Sequence, residues 1–477
     1  MLTLVNTNRM VPPIAPIGLD YTASSLAMAG YDVELLDLCM AADPTAEIER
    51  YFSSHTPELI GLSFRNTDDC FWPSATSFVS VLQRDIAGIR ARSDAPIVLG
   101  GAGYSLFAER ILRLTGADFG VRGDGEAALA SLLSELRSER KFERVPGLIY
   151  RHKNEVRMNS PAWPRTVSLK TQRDFVDNSA YFAQGGQIGV ETKRGCARRC
   201  IYCADPVVKG HTSRTRDPRD VADEIECLLQ SGIDVLHLCD PEFNLPPAHA
   251  SDVCEELIRR QLGRRLRWYA YLAVVPFSDK LAALMRRAGC VGINFTSDAA
   301  SPAMLQTYGQ PHRFEDLQSA VTNCRRNGIS VMLDMLLGGP GETVDTLTET
   351  IRGFQQLNPD CAGAALGVRV YPGTPLAHIA AQEGPWETNP NLRRRCSGPV
   401  DLLQPTFYIS AALGDRPADL VRDLIGSDHR FFPPQPESGN PEGADHNYSG
   451  NRLLVERIAA GERGAYWDIL RRPSPLG

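Results

Sequence analysis

The sequence of 477 residues contains no apolar run of about 18 residues, so neither a membrane-spanning helix nor a membrane partner is expected. It also lacks a long basic run, and its net charge is -6, so nucleic acid is not expected as a partner. The start, Met1–Asn6, lacks the basic segment of a secretory signal and is typical of a first strand. These absences predict an ordinary globular chain.

The remaining composition agrees, because hydrophobic residues make up 43% of the chain and charged residues 23%. A chain of this length predicts about two to four domains. Disulfides are not expected among its twelve cysteines, since no secretory signal is present, and a reducing cytoplasm is the expected location. Nine of them lie mainly in apolar patterns and are predicted to be buried structural thiols.

The other three cysteines, Cys196, Cys200 and Cys203, have the spacing C-x3-C-x2-C, with Tyr202 directly before the last. Three thiolates can hold three irons of a cubic [4Fe-4S] cluster and leave the fourth iron open to chelate amino and carboxylate groups. Zinc sites mostly use paired C-x2-C units with four ligands, and no fourth ligand lies nearby. The spacing therefore favours an iron–sulfur cluster.

Residues 1–145 alternate short apolar runs with helical patterns, which predicts a parallel sheet covered on both faces. Ligands of such sheets bind over the carboxyl ends of the strands. The predicted strands are Leu2–Val5, Asp32–Asp37, Leu59–Phe64, Pro96–Leu99 and Phe119–Val121. The loops that follow them contain, in order, Pro13, Pro16, Arg65, Asn66, Gly100, Gly101, Gly123, Gly125 and Glu126.

These loops predict a site for a large ligand, because glycine lets the backbone approach closely and helix starts supply N–H donors. No G-x-G-x-x-G follows the first strand, which disfavours a nicotinamide dinucleotide.

Residues 146–180 are predicted to form a connector, and residues 181–385 show six strand–helix units that favour a partial barrel over an eightfold one. The three clustered cysteines follow the first predicted strand. The ends of later strands carry Asp240, Ser297, Asp298, Gly338, Gly339 and Arg369. The sixth strand is predicted at Ala365–Tyr371.

Residues 386–477 lose this alternation and are predicted to form a small, mostly helical cap over the barrel mouth. The tail contributes aromatic and histidine side chains that are candidates for a substrate pocket: Tyr408, His429, Tyr448, Tyr466 and Trp467.

Taken in order, these features resemble the cobalamin-dependent radical SAM (S-adenosylmethionine) enzymes. The resemblance implies an α/β chain with a Rossmann-like, doubly wound cobalamin-binding domain at 1–145 and a linker at 146–180. A partial (β/α)6 radical SAM barrel at 181–385 and a mostly helical C-terminal substrate-capping region at 386–477 would follow. The implied cofactors are a [4Fe-4S] cluster, SAM and cobalamin.

The resemblance also implies a role for each predicted residue. Cys196, Cys200 and Cys203 would bind the cluster and be catalytic, and the nine residues of the first-domain loops would contact cobalamin. SAM would be contacted by Tyr202, Asp240, Ser297, Asp298, Gly338, Gly339 and Arg369.

Two features of the first domain bear on the cobalt. No D-x-H-x-x-G is present, and His55 is the only histidine before residue 150, so no histidine of this domain is expected to replace the dimethylbenzimidazole. In tryptophan-methylating members of the family, an arginine of the third-strand loop approaches the lower face of cobalt. Arg65 stands at the matching place.

The implied function is methyl transfer from SAM, through methylcobalamin, to a carbon of a small natural-product precursor. The transfer would follow either hydrogen abstraction by a 5'-deoxyadenosyl radical or direct attack by an electron-rich carbon. Alternatives are a non-methylating rearrangement or cyclisation, methylation of a phosphinate phosphorus, and a non-catalytic regulator that binds the cofactors. The expected partners are a small-molecule substrate and a reductant such as flavodoxin or ferredoxin.

Overall fold

The computed structural model describes residues 1–153, 155–435 and 448–472. Two seven-stranded sheets organise these residues, one before residue 159 and one from residue 188 onward. None of the helices in the three described ranges combines the length and the apolar character needed to cross a membrane.

The first sheet has the strand order β2-β1-β3-β4-β5-β6-β7. Its strands are β1 (Leu2–Asn6), β2 (Val33–Asp37), β3 (Leu59–Ser63), β4 (Ile97–Gly100), β5 (Phe119–Val121), β6 (Leu148–His152) and β7 (Glu155–Met158). Its helices are α1 (Ile17–Met28), α2 (Pro44–Phe52), α3 (Val79–Arg90), α4 (Ala102–Leu106), α5 (Ala108–Thr115) and α6 (Gly125–Leu136). A 3-10 helix spans Phe142–Arg144. The first five strands are parallel and mostly apolar, because helices cover both faces.

This sheet differs from the sequence prediction at two places. β6 and β7 join it as antiparallel strands, so the sheet extends past residue 145 into the predicted connector. Helix α2 was not predicted, although Asp43 before Pro44 is a helix-start signal. Asp43 accepts hydrogen bonds from the N–H groups of Thr45 and Ala46 and thereby caps α2.

The second sheet has the order β19-β15-β14-β13-β12-β11-β8, and all of its paired strands are parallel. Its strands are β8 (Ile188–Val190), β11 (Val235–Leu238), β12 (Arg267–Leu272), β13 (Cys290–Asp298), β14 (Ser330–Leu337), β15 (Cys361–Leu366) and β19 (Phe431–Phe432). Helices α9 (Pro218–Gln230), α10 (Pro247–Arg259), α11 (Asp279–Arg287), α13 (Phe314–Arg326) and α14 (Val344–Leu357) alternate with them. The predicted partial barrel is confirmed.

Shorter elements complete the chain. Before β11 lie α7 (Asn178–Gly185), α8 (Asp205–Lys209) and a strand pair formed by β9 (Lys193–Arg194) and β10 (Arg214–Thr215). Helix α12 (Pro302–Tyr308) follows β13, and 3-10 helices span Leu262–Arg264 and Ala411–Leu413. The tail side contains β16 (Val368–Arg369), β17 (Leu392–Arg394), β18 (Thr406–Tyr408), α15 (Pro375–Gln382), α16 (Pro417–Ile425), α17 (Arg452–Ala459) and α18 (Tyr466–Arg471).

The sixth barrel strand was predicted in the wrong place. β15 ends at Leu366, and Gly367 follows with a φ of +93°, a conformation that interrupts a strand. Val368 and Arg369 instead form β16, which pairs with β18 in a separate three-stranded sheet.

The C-terminal region contains helices α16, α17 and α18, as predicted, but the last of them lies away from the barrel mouth. Trp467, at the start of α18, packs with Tyr269, Met332 and Cys361, which lie near the beginnings of β12, β14 and β15. The last helix therefore closes the amino-terminal end of the barrel, because it removes apolar side chains there from water.

Candidate active site

A cavity of about 590 Å³, here called the central cavity, lies between the carboxyl ends of the first-sheet strands and the inside of the barrel. Strands β8, β11, β12 and β13 line its barrel side, together with tail residues 448 and 465–467. The structure brings all nine residues predicted to contact cobalamin to this cavity: Pro13, Pro16, Arg65, Asn66, Gly100, Gly101, Gly123, Gly125 and Glu126.

Two glycines of the central cavity leave room that a side chain would fill. No heavy atom lies within 4 Å of the position that a Cβ would take on Gly18 or Gly100. Gly101 differs, because its φ is +101° and a Cβ there would lie 2.7 Å from the carbonyl oxygen of Phe64. The backbone requires glycine at 101, whereas the free space over Gly18 and Gly100 fits a large group such as cobalamin.

Arg65 brings a positive charge to the central cavity. Its Nη1 donates to Oδ1 of Asn66 at 2.9 Å, a contact with an amide rather than a carboxylate.

Burial, aided by the charge of Arg65, lowers the pKa of His237 to about 4, so this imidazole is neutral at pH 7. His237 also lines the cavity, and its Nδ1 has no partner among the described atoms. Sequence reasoning missed His237 because it lies within β11 and not after a strand.

The three clustered cysteines lie in an ordered loop after β9. The N–H of Cys196 donates to the carbonyl of Gly210 at 3.2 Å, and the N–H of Cys203 donates to the carbonyl of Cys200 at 3.2 Å. Burial raises the pKa of all three thiols, that of Cys200 to about 12. A bound metal offsets this penalty because it stabilises the thiolate.

Within the described part of the chain, no three Cys, His, Asp or Glu side chains converge on a single ion. In a cubic cluster each thiolate binds a different iron, so its cysteines surround the cluster and do not point at one atom. The donor set therefore fits a cluster of the predicted kind.

Two buried charges lie beside these cysteines. Glu242, after β11, interacts electrostatically with Cys196 and Cys200, and burial raises its pKa to about 7. One carboxylate oxygen, Oε1, accepts from Thr296 at 2.7 Å, whereas Oε2 has no partner among the described atoms. Lys193 is 1% exposed, and its Nζ is likewise unpaired in this part of the structure. Such orphaned groups fit a site for a polar ligand, whose ammonium or carboxylate would satisfy them.

Tyr202 and Asp298, both predicted to contact SAM, lie together next to the cluster loop. The Tyr202 hydroxyl donates to Oδ2 of Asp298 at 2.6 Å, and Nε2 of Gln310 donates to the same oxygen at 2.6 Å. Gln310 also lies 3.4 Å from Sγ of Cys200. Burial raises the pKa of Asp298 to about 6. Gln310 was not predicted, because it follows a helix and carries no motif.

Two other predicted SAM contacts are occupied by bonds within the protein. Asp240 accepts from the N–H groups of Thr192 and Lys193 and from the Thr192 hydroxyl, so it holds the turn before the cluster loop. The Ser297 hydroxyl donates to the carbonyl of Asp334 at 2.8 Å.

Contacts within the protein account for Gly338 and Gly339. A Cβ on Gly339 would lie 2.3 Å from the Tyr308 hydroxyl, and the N–H of Gly338 donates to the Glu342 carboxylate. Gly338 also has a φ of +92°, which favours glycine, so the structure explains both glycines without a ligand.

The structure does not support the predicted SAM contact of Arg369. Its Nε and Nη2 donate to Oδ2 of Asp68 at 3.1 and 2.9 Å, and its other N–H groups reach backbone carbonyls. The pair is buried and joins the first unit to the barrel side. Because the N–H donors of this guanidinium are already hydrogen-bonded, few remain for a ligand.

A second ion-pair group joins the cavity loops to the cluster loop. Glu126, at the start of α6, accepts from both Nη atoms of Arg194 at 3.1 and 2.9 Å. Asp124 pairs with Arg214, and Arg194 comes two residues before Cys196. These contacts fix the loop after β5 against the cysteine loop.

Comparisons with known proteins agree with this arrangement. The sequence model of the Radical SAM superfamily matches residues 190–353, and that of the B12 binding domain matches residues 4–133. The chain is 28% identical to tryptophan 2-C-methyltransferase of Streptomyces laurentii, over 98% of this chain and 95% of the relative.

Solved structures extend the comparison. The radical S-adenosylmethionine methyltransferase TsrM of Kitasatospora setae, with tryptophan substrate and a SAM analogue bound, is 31% identical. The match has a TM-score of 0.90 and covers 98% of this chain and 97% of that one. Another structure of TsrM has cobalamin and a [4Fe-4S] cluster bound. The cobalamin-dependent radical enzyme OxsB shares the fold, with 19% identity and a TM-score of 0.70 over 86% of this chain and 64% of that one.

Proposed function

We propose that this chain, which belongs to the cobalamin-dependent radical SAM methyltransferase family, methylates C2 of tryptophan or of a closely related indole amine. Its cofactors are a [4Fe-4S] cluster, SAM and cobalamin. The observation that carries the proposal is the end-to-end likeness to TsrM, which includes the cavity loops, the cysteine loop and the tail.

Cys196, Cys200 and Cys203 are proposed to hold the cluster. A cluster bound by three thiolates supplies an iron with an open position, at which SAM or a protein carboxylate can bind. Glu242 is the described carboxylate that interacts with two of these thiols and keeps an unpaired oxygen, so it is proposed to face that iron or the ammonium of SAM. Tyr202, Asp298 and Gln310 hold the loop around Cys200 in place.

The central cavity is proposed to hold cobalamin, whose cobalt accepts and donates the methyl group. The first-sheet loops bind and orient it, and Gly18 and Gly100 leave the space it needs. Arg65 would place a cation beside the cofactor, and a guanidinium has no electron pair to donate to a metal, so it would contact cobalamin without acting as a ligand.

The barrel and the tail are proposed to exclude water from the acceptor. Trp467 packs at the amino-terminal end of the barrel and also lines the central cavity, which supports a role in keeping bulk solvent out from that side. A reducing partner such as flavodoxin or ferredoxin and a cytoplasmic location are proposed as well, because the cluster and the free cysteines require reducing conditions.

Methyl transfer itself gives the direct test. The anaerobically reconstituted enzyme, supplied with methyl-labelled SAM, reductant and L-tryptophan, is expected to form labelled 2-methyltryptophan and S-adenosylhomocysteine, both detectable by mass spectrometry. Formation of S-adenosylhomocysteine without a methylated indole would retain the methyltransferase class but reject tryptophan as the acceptor. Retention of no cobalamin after desalting would reject the cobalamin site.

A Gly100→Leu substitution tests the cavity assignment. The new side chain would occupy space that no protein atom uses, so we expect the fold to persist while affinity for cobalamin falls by about 10-fold or more. Retained cobalamin is measured by absorption after desalting. Gly88→Ala in α3, where a Cβ makes only ordinary contact with Ile48, is the control and should bind cobalamin as the wild type does.

A further inference from the structure

The barrel has a polar layer partway along its strands that the predicted cofactor contacts do not use. Tyr271 and Asn294 are paired neighbours on β12 and β13, and Asp334 and Gly363 are paired neighbours on β14 and β15. Tyr271 and Asn294 line the central cavity. Interior strands of such barrels are normally apolar, so a layer of this kind indicates a surface that faces a ligand.

Asn294 connects this layer, because its side chain interacts with both Tyr271 and Asp334. Nδ2 of Asn294 donates to Oδ2 of Asp334 at 2.7 Å. Oδ1 of Asn294 has no partner among the described atoms, and the residue is 3% exposed. Gly363 gives the carboxylate room, since a Cβ there would lie 2.5 Å from Oδ1 of Asp334. Asn294 lines the central cavity, and Asp334, which is partly buried, is hydrogen-bonded to its amide, so the layer offers an amide oxygen with a carboxylate next to it.

The charge of Asp334 is not balanced by the protein. Burial, and then the nearby charge of Asp298, raise the pKa of Asp334 to about 7, with only the Asn294 hydrogen bond acting in the other direction. In the described ranges no Lys, Arg or His lies within salt-bridge distance of it. A partly buried carboxylate without a cationic partner is stabilised by a cation that brings its own N–H donors.

Aromatic side chains from the barrel and the tail surround the layer. Tyr271, Tyr448 and Tyr466 line the central cavity, and the rings of Tyr448 and Tyr466 meet edge to face at 6.0 Å. The charge of Asp334 contributes to the raised pKa of both Tyr271 and Tyr466, which places it close to both rings. Aromatic faces attract cations and accommodate the flat body of an aromatic ligand.

We propose that Asp334 and Asn294 bind the ammonium group of the methyl acceptor, with the tyrosines around them, so that the acceptor is a primary amine joined to an aromatic ring. This inference rests on the proposed function, because it assigns the substrate end of the same site. A carboxylate on the substrate is not required by these contacts, so arylalkylamines qualify as well as aromatic amino acids.

Binding without turnover provides the test. Calorimetry on the cobalamin- and cluster-loaded enzyme, without reductant, would compare L-tryptophan, tryptamine and indole-3-propionate. We expect the wild type to bind both amines and to bind indole-3-propionate about 10-fold or more weakly, because only the amines reach Asp334 with a charged donor. Asp334→Asn should lose this preference. Asp94→Asn, the same change on an exposed aspartate, should keep it.

The pH dependence adds a readout that a purely structural role of Asp334 would not produce. The ionisable groups that interact with it are Asp298, Tyr271, Tyr466 and Cys361, and Arg65 is the cation that acts on Tyr271. An ammonium stabilises the ionised carboxylate, so amine binding below about pH 7 should release a proton, and affinity should rise as the pH increases toward 7. Both effects should vanish in Asp334→Asn.

Three results would overturn the inference: wild-type binding of none of the three probes, equal binding of tryptamine and indole-3-propionate, or unchanged amine binding by Asp334→Asn. Loss of cobalamin from Asp334→Asn with unchanged amine affinity would also overturn it, since the carboxylate would then serve the cofactor. Amine binding that depends on Asp334 but leads to no methylated indole would support the inference while rejecting the proposed function.

Discussion

Cys200→Ala is expected to abolish cluster binding and all methyl transfer. The cysteine loop offers three thiols, and removal of one leaves an iron without a protein ligand in a buried site. The Gln310 amide lies 3.4 Å from the sulfur of Cys200, so the substitution also removes one acceptor of that amide. Iron and sulfide content, the absorption of the reconstituted protein near the cluster bands and labelled product would each be measured.

Cys396→Ala is the matched control, because this cysteine is exposed and lies outside the barrel strands. It should reconstitute and methylate as the wild type does. Cobalamin binding should survive in Cys200→Ala, since the loops of the first sheet are unchanged. Full iron content or undiminished methyl transfer in Cys200→Ala would contradict the cluster assignment.

Arg173→Met is expected to lower the free energy of unfolding by about 3–5 kcal/mol, because it leaves buried carboxylates without their cation. Arg173 comes from the segment between the two units, and its side chain is 1% exposed. It donates to Asp20 on α1 at 2.9 Å and to Glu224 on α9 at 2.8 Å, so one guanidinium joins the first unit to the barrel. Glu224 keeps Arg216, but Asp20 would retain only the amide of Asn178.

Thermal and denaturant unfolding, followed by circular dichroism on the cofactor-free protein, would measure the loss. Arg219→Met removes the arginine of an exposed pair with Asp217, whose side chains are 73% and 41% exposed. That control should change stability by less than about 1 kcal/mol. Equal stability of the two variants would show that the buried ion pairs do not hold the units together.

Sequence reasoning predicted which loops of the first sheet share a cavity because parallel strands have a directional rule. The carboxyl ends of such strands meet at one edge of the sheet, so residues as far apart as Pro13 and Glu126 were expected to face the same ligand. The structure places both on the central cavity. The same rule placed the cysteine loop after the first barrel strand, next to Tyr202 and Asp298.

The rule failed for residues inside strands. His237, Asn294 and Asp334 each interrupt an apolar run, and a polar residue within a buried strand could have been read as a sign of a lined cavity. It also failed for Arg369, since a sequence pattern does not reveal that Asp68, from the other unit, would take up its donors. Partners of this kind depend on how the two units meet.

The sequence alone determined the parallel strands of the two sheets, the order of the loops that follow them and the prediction of a cysteine cluster site, because apolar periodicity and short spacing act within one element or one loop. Only the tertiary structure decided which polar groups remain free. Asp240 and Arg369 are satisfied by distant partners, whereas Lys193, Glu242 and Asn294 keep unpaired atoms among the described residues. The tertiary structure also decided that Trp467 closes the amino-terminal end of the barrel. Hydrogen bonding and packing between remote segments are properties of the assembled fold, and no local pattern in the chain specifies them.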